Sequence, residues 1–333
     1  MNPLTQITDI SRIAYGFMAS KVLFGALELD VFTTLARAPR SLQSLVDELG
    51  IPSNRLETLL NACVSLGLLV RTSEGYANAP ASQAHLVRGS PSCYADYLQL
   101  QTDGQIYPSF LGLGAALRGK LENPFYNLSD DDGQSHQFSQ AQHNGSLGPA
   151  VLLAKRQDFS SATSLLDVAG GSGAFSITLC KRNPGLRATI LDFPRMTRVA
   201  KQYVHEAGLS ERVGLLSGNA LEVDWPRNQD VVLFSYLLYC VDGANIARLM
   251  ERAFQSLRPG GRLFVHDFMV DDEGSGPTLA ALWLVSSMLS DPNAVLLRPA
   301  RVASLAREAG LEPLESVEHI PEITRLVVFR KPA

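Results

Sequence analysis

The spacing of apolar positions changes character once along the chain, and that change divides it. From Ile7 to Leu35 apolar residues recur at helical intervals (Ile13, Phe17, Val22, Leu23, Ala26, Leu27), with Gly16 and Gly25 as soft points. This predicts two helices with more apolar surface than one core needs. A short helix is predicted at Ser41–Leu49 and another at Asn54–Leu66, the latter capped by Ser53 or Asn54. Gly67-Leu68-Leu69-Val70-Arg71 and Tyr76-Ala77-Asn78, joined by a turn at Glu74-Gly75, read as a hairpin. Helix, turn, helix and hairpin in this order spell a winged helix.

Residues 95–160 read as helices interrupted by the polar stretch Asn127–Gln134, the natural place for a linker. After Ser160 short apolar runs alternate with amphipathic stretches, the signature of a parallel α/β sheet. Strands are expected at Leu165–Val168, Ala188–Asp192, Val213–Gly218, Val231–Tyr236, Arg262–Val270, Leu311–Ile320 and Arg325–Lys331. The last two lie too close in sequence for a helical crossover, so they must form an antiparallel hairpin at the far end of the sheet. The expected organisation is a winged-helix-like domain over 1–100, a helical linker over 101–150 that contributes to a substrate pocket, and an α/β catalytic domain over 151–333.

Composition narrows the function classes. The chain carries 333 residues, 46% hydrophobic and 19% charged, with a net charge of −4, so no bulk electrostatic attraction favours phosphate backbones or anionic lipid. The winged helix invites a DNA-binding reading, but Arg55 is the only cation on its recognition helix. Subunit association is the better expectation, and nucleic acid is not an expected partner. No leader is apparent at Met1–Asp9, and no run is expected to approach the ~18 apolar residues of a membrane span, which predicts a cytoplasmic protein without a membrane partner. Cys63, Cys93, Cys180 and Cys240 stand apart without CxxC spacing or histidine clusters, so neither metal nor disulfide is expected.

The chemistry concentrates at strand ends. Leu165-Leu166-Asp167-Val168-Ala169-Gly170-Gly171-Ser172-Gly173 runs a strand into a glycine turn that opens a helix, where backbone and ligand can approach closely. A dinucleotide fingerprint would need a third glycine where Ser176 stands. Asp167 is placed to fix the turn and receive an ammonium group. Asp192, followed by Phe193, ends the next strand, where a carboxylate accepts ribose hydroxyls. Asn219 and Ala220 follow the third strand, with the amide suited to an adenine, and Ser235 and Tyr236 close the fourth. Together with Gly260-Gly261 ahead of the fifth strand, these features predict an S-adenosylmethionine site made by Asp167, Gly170, Gly171, Gly173, Asp192, Phe193, Asn219, Ala220, Ser235 and Tyr236.

On these residues the chain resembles the plant-type and bacterial small-molecule O-methyltransferases, which include caffeate, hydroxyindole, polyketide and phenazine methyltransferases. The resemblance implies a seven-stranded doubly wound α/β sheet with an antiparallel last strand, a mainly helical winged-helix N-terminal domain, a homodimer built through the N-terminal helices, and a small aromatic or heteroaromatic acceptor. The family's D-V-G-G-G-x-G appears here with Ala169 for one glycine, and its G-D-M/F as Gly218-Asn219-Ala220. Its L-H-D-W histidine, the base that deprotonates the acceptor, is matched by Tyr239 in Leu238-Tyr239-Cys240-Val241. In this the chain resembles the bacteriochlorophyllide C-methyltransferase branch.

A free tyrosine titrates near ~10 and is a poor base at neutral pH. Proximity and orientation, worth roughly 7–11 kcal/mol in well-oriented systems, are then expected to drive in-line transfer. Tyr239 is expected to orient the acceptor, and Asp267 matches the acidic residue that orients the family's base. His266 alternates with Asp267 and so faces away from it, as a packed or surface residue. His143 lies on the segment that reaches toward the cofactor and is a candidate substitute base. Trp283 and Met288, on the apolar stretch Thr278–Leu289, are candidate acceptor contacts. O-methylation is the first expectation. C- or N-methylation, S-adenosylmethionine chemistry other than methyl transfer, and a DNA-binding sensor are the alternatives.

Overall fold

The computed structural model describes residues 3–90, 93–120, 132–290 and 293–333, with the side chains of 101, 132–141 and 290 outside the description. Most of the expected linker, 127–131, lies outside the described residues, and Asp132–Gln134 already belong to a helix. The chain divides between Tyr107 and Pro108 into two compact units.

The N-terminal unit opens with α1 (Ile7–Ala14) and α2 (Gly16–Glu28), followed by a single turn, α3 (Val31–Thr34). The two helices of the winged-helix pattern are α4 (Leu42–Leu49), whose first turn is capped by the Ser41 hydroxyl accepting the Ser44 N–H at 3.2 Å, and α5 (Ser53–Ser65). The antiparallel wing, β1 (Leu69–Thr72) and β2 (Gly75–Asn78), follows. It is succeeded by α6 (Pro80–His85) and a π-helical stretch, Tyr97–Ile106, that packs on α2. Phe24, Leu27, Phe32, Leu45, Leu56, Leu60 and Tyr76 are buried inside this unit.

Ile7, Ile10, Ile13, Phe17 and Met18 are not buried; Ile7 and Ile13 are 74% and 71% exposed. Only Tyr15 separates α1 from α2, and within the 22 residues Ile7–Glu28 an 18-residue window reaches a mean hydropathy of 1.2. By length and composition that suffices to cross a membrane, which corrects the expectation that no stretch approaches such a length. The two helices expected from the sequence are α1 and α2, divided at Tyr15, where φ of −96° and ψ of 1° leave the helical path.

The C-terminal unit starts with the short turns α7 (Tyr107–Ser109), Phe110–Gly112 (3₁₀) and α8 (Leu113–Ala116), then the long α9 (Asp132–Arg156). Strands and helices alternate from there: β3 (Ser164–Val168), α10 (Ala174–Arg182), β4 (Arg187–Asp192), α11 (Pro194–Glu206), β5 (Val213–Ser217), β6 (Gln229–Ser235), α12 (Gly243–Ser256) and β7 (Leu257–Asp267). After them come α13 (Thr278–Ser290), α14 (Pro299–Glu308), β8 (Glu312–Ile320) and β9 (Thr324–Arg330).

The seven strands form one sheet in the order β5-β4-β3-β6-β7-β9-β8. β3 to β7 pair in parallel, and the β8–β9 hairpin is antiparallel, with β9 inserted beside β7 and β8 left at the edge. β3 and β6 read as nearly continuous apolar runs because helices cover both faces of a parallel sheet. One core joins a sheet face to α12 and α14, and the other joins the opposite face to α9, α10 and α11. β3 thus lies between strands that run outward on both sides, and its carboxyl end is the switch point where such folds open a crevice.

Candidate active site

The glycine loop follows β3 directly. Ala169, Gly171 and Gly173 adopt left-handed backbone angles, with φ of 55°, 56° and 80°. Gly170 is required by crowding: a Cβ there would lie 2.7 Å from the Asp167 carboxylate carbon. Gly173 packs against Ile190, whose Cδ1 would be 2.6 Å from an added Cβ. α10 then begins at Ala174, so its N-terminal end follows the glycine loop directly. Asp167 is fully buried beneath the loop and accepts the Ser176 hydroxyl hydrogen at 2.7 Å; burial pushes its carboxyl up to about 6.

Asp192, at the end of β4, ties this loop to the next one. One carboxylate oxygen accepts the Gly171 N–H at 2.8 Å and the other the Phe193 N–H at 2.7 Å, leaving a lone pair on each for a pair of hydroxyls. Burial raises its pKa. Phe193 stands beside it, exposed.

After β5, the Asn219 side chain organises its own turn. Its amide oxygen accepts the Leu221 N–H and its amide nitrogen donates to Glu222, both at 3.0 Å. The Ala220 carbonyl accepts the Trp225 indole N–H at 2.9 Å. At the end of β6, Ser235 and Tyr236 are partly buried, and Tyr236 holds a left-handed φ of 54°, a conformation a side chain of that size adopts only under constraint.

Tyr239 sits on the 3₁₀ turn Leu238–Cys240. Asp267, fully buried at the end of β7, accepts the Leu238 N–H at 2.7 Å and the Tyr239 N–H at 3.3 Å on one oxygen, and the Phe268 N–H at 2.8 Å on the other. Burial pushes its carboxyl up to about 7, against the pull of these donors. The matched pair of sequence positions is thus joined through the backbone of the turn that bears Tyr239. His266, on the opposite face of the strand, is completely buried.

Phe268, which sequence reasoning passed over, is the centre of an aromatic wall. It meets Tyr239 edge-on at 5.3 Å and Tyr236 at 5.1 Å, and it stacks on Trp283 at 4.7 Å with an interplanar angle of 10°. The available signal was its position one residue beyond Asp267. Trp283 therefore joins the site through Phe268, while Met288 is half-buried further along α13. His143, on α9, reaches the other side of the crevice. Its Nδ1 lies 2.8 Å from the Ser172 hydroxyl of the glycine loop, and its ring stacks on Tyr203 of α11 at 4.0 Å. Burial lowers its pKa to about 4, so the ring is neutral at physiological pH. Among the described residues no cluster of His, Cys, Asp or Glu is arranged to hold a metal ion.

The crevice thus presents a glycine cradle with a helix N-terminus, a buried carboxylate with two spare lone pairs at the next strand, and an aromatic wall. The first two suit an aminoacyl nucleoside, and the wall suits a flat apolar partner. The O-methyltransferase domain profile matches residues 95–312, and the O-methyltransferase dimerisation domain profile matches residues 11–88. The chain belongs to the O-methyltransferase family. As a member it is an S-adenosylmethionine-dependent methyltransferase, and its N-terminal unit is a dimerisation domain.

Among its relatives, the tetracenomycin polyketide synthesis 8-O-methyl transferase TcmO of Streptomyces glaucescens is 29% identical over 100% of both chains. Bovine acetylserotonin O-methyltransferase (Bos taurus) is 31% identical over 90% of this chain and 91% of its own. The crystal structure of human N-acetylserotonin methyltransferase in complex with SAM superposes with a TM-score of 0.82 at 24% identity, covering 100% of both chains, a likeness of fold.

Proposed function

We propose that this methyltransferase acts on the oxygen of a small, flat aromatic or heteroaromatic metabolite, by in-line transfer that relies on orientation and not on a histidine base. The observation that carries the reading is the aromatic wall of Tyr236, Phe268, Tyr239 and Trp283; the match of Tyr239 to the family's base position, read from the sequence, supports it. The names of the relatives, a polyketide 8-O-methyl transferase and an acetylserotonin O-methyltransferase, support an aromatic oxygen acceptor.

S-adenosylmethionine, when bound, supplies an electrophilic methyl group on a sulfonium. The remaining work falls to the chain's own residues. Asp167 and Gly170–Gly173 hold the aminoacyl end, Asp192 takes the ribose hydroxyls, and Phe193, Asn219 and Ala220 frame the base. Ser235 and Tyr236 floor the site. Asp267 acts as a positioning residue by fixing the turn that carries Tyr239, and the Tyr239 ring orients the acceptor against Phe268 and Trp283. The 3₁₀ turn Phe110–Gly112 and α8 pack on α13, which supports a contribution of this segment to the acceptor side. His143 stays neutral, tied to Ser172, so its role is to hold the loop. The exposed face of α1 and α2 is assigned to a second copy of the chain, giving a homodimer in the cytoplasm.

Incubation of the protein with methyl-labelled S-adenosylmethionine and a panel of phenols, hydroxyquinolines and electron-rich heteroaromatics tests the proposal. Label on an acceptor oxygen is the expected result. Label on carbon or nitrogen replaces the oxygen assignment, and turnover that leaves S-adenosylmethionine unchanged removes the proposed reaction altogether.

A further inference from the structure

Below the carboxyl end of β6 lies a buried imidazole that the methyl-transfer reading does not use. His266 is fully buried on β7 between Val265 and Asp267, on a strand whose other core positions include Leu263 and Phe264. An imidazole is a costly choice for such a position unless both ring nitrogens find partners. They do. Nδ1 lies 2.9 Å from Ser235 Oγ, and Nε2 lies 2.9 Å from Thr324 Oγ1, the first residue of β9. Thr324 Oγ1 also accepts the Ile320 N–H at 3.1 Å, across the β8–β9 turn.

The same residue grips Tyr236 twice more. The His266 carbonyl accepts the Tyr236 N–H at 2.9 Å, and the tyrosine ring stands edge-on to the imidazole at 4.6 Å. Phe175, in the first turn of α10 after the glycine loop, leans on the other side at 5.6 Å. Tyr236 is left-handed at φ 54°, and strain of that kind persists only where the surroundings over-determine it. His266 supplies much of that determination.

We propose that His266 is a positioning residue of the cofactor site, which fixes the Ser235 hydroxyl and locks Tyr236 in its left-handed conformation so that the floor of the site is built before the ligand arrives. A neutral imidazole donates through one nitrogen and accepts at the other. One of the two flanking hydroxyls, Ser235 or Thr324, therefore donates to the ring and the other accepts from it, and both are held. The hairpin that distinguishes this sheet thereby reaches the ligand site through one threonine and one histidine.

The inference rests on the reading that S-adenosylmethionine occupies this cradle, and calorimetric titration of the full chain with S-adenosylmethionine separates the two. For a folded His266→Phe variant, affinity falls about tenfold, while kcat at saturating donor stays within about twofold of the unsubstituted enzyme. Thr324→Val, on the side away from the ligand, lowers affinity about threefold, and Thr324→Ser restores it. The double variant Ser235→Ala/His266→Phe loses less affinity than the sum of the two single losses, because the Ser235–His266 contact is common to both. A purely structural role would lower Tm and leave these affinities alone. Unchanged affinity in His266→Phe, or additive losses in the double variant, overturns the inference. Where His266→Phe does not fold, the Thr324 pair decides in the same way. Failure of the unsubstituted protein to bind S-adenosylmethionine would be a different result, overturning the donor reading itself and this inference with it.

Discussion

The two units of this protein break the ordinary distribution of residues in opposite directions. The N-terminal unit sets large apolar side chains, Ile7, Ile10, Ile13 and Phe17, in solvent. The C-terminal unit takes Asp167, Asp192, His266 and Asp267 out of it. Scattered exposed apolar residues are common, but a contiguous face on one helical run calls for a partner surface, and here the dimerisation domain profile covers it from residue 11. Buried carboxylates are costly, and each one here is met by backbone or hydroxyl donors at a strand end. The first unit exposes what it needs for association. The second buries what it needs for binding.

Four variants sharpen or break that contrast. Asp192→Ala removes the proposed ribose acceptor and strands the Gly171 and Phe193 N–H groups; S-adenosylmethionine affinity by calorimetry is expected to fall roughly a hundredfold or more. A smaller loss would mean that the glycine loop holds its shape unaided. Charging the apolar face with Ile13→Asp and Phe17→Asp is expected to give monomers by sedimentation at concentrations where the unsubstituted chain is dimeric. The unit's own fold should persist, since neither side chain belongs to its core. Unfolding of the variant would show that the face stabilises the unit itself.

Asp267→Asn tests the cost of the buried carboxylate. An aspartate ordinarily titrates near ~3.9, and Asp267 is raised to about 7 in the folded protein. The native state therefore holds the proton more tightly. The stability this confers is complete below the unfolded value and is lost as pH rises through the folded one. Asparagine cannot ionise. The Tm advantage of the unsubstituted protein over Asp267→Asn, measured by calorimetry, is expected to shrink by roughly 2–4 °C or more between pH 5 and pH 8. An advantage that grows with pH would mean that the backbone donors outweigh burial.

The smallest effect is expected at Ala169, whose side chain occupies a left-handed position. Ala169→Gly relieves about 1–2 kcal/mol of strain against the extra entropy of a glycine in the unfolded chain. A net gain of about 0.5–1 kcal/mol follows, a rise of roughly 2 °C in Tm.

Much of the fold was legible because its elements are local. The strands predicted from Leu165 onward fall within a few residues of β3 to β9, and the hairpin was required by the few residues around Pro321. Gly170, Gly171 and Gly173 announced the loop, since only close approach or left-handed backbone explains three such glycines at a strand end. At α1 and α2 the two expected helices are found, with their junction at Tyr15, beside the soft point Gly16. The face of His266 was predicted from strand alternation, but not its partners. Ser235 is 31 residues away and Thr324 58, and nothing in their neighbourhoods marks them.

The sequence by itself determined the order of strands and helices, the glycine cradle and the acidic residue at the carboxyl end of each of the sheet's first two strands. These depend on period, spacing and backbone freedom within a few residues. Only the tertiary structure decided that Asp267 spends its carboxylate on the turn of Tyr239, that Phe268 joins Tyr239 to Trp283, that His143 rests on Ser172, and that β9 lies between β7 and β8 with Thr324 under the site. Each of these joins residues far apart in the chain, whose meeting is fixed by how the helices and strands pack and not by anything either residue carries locally.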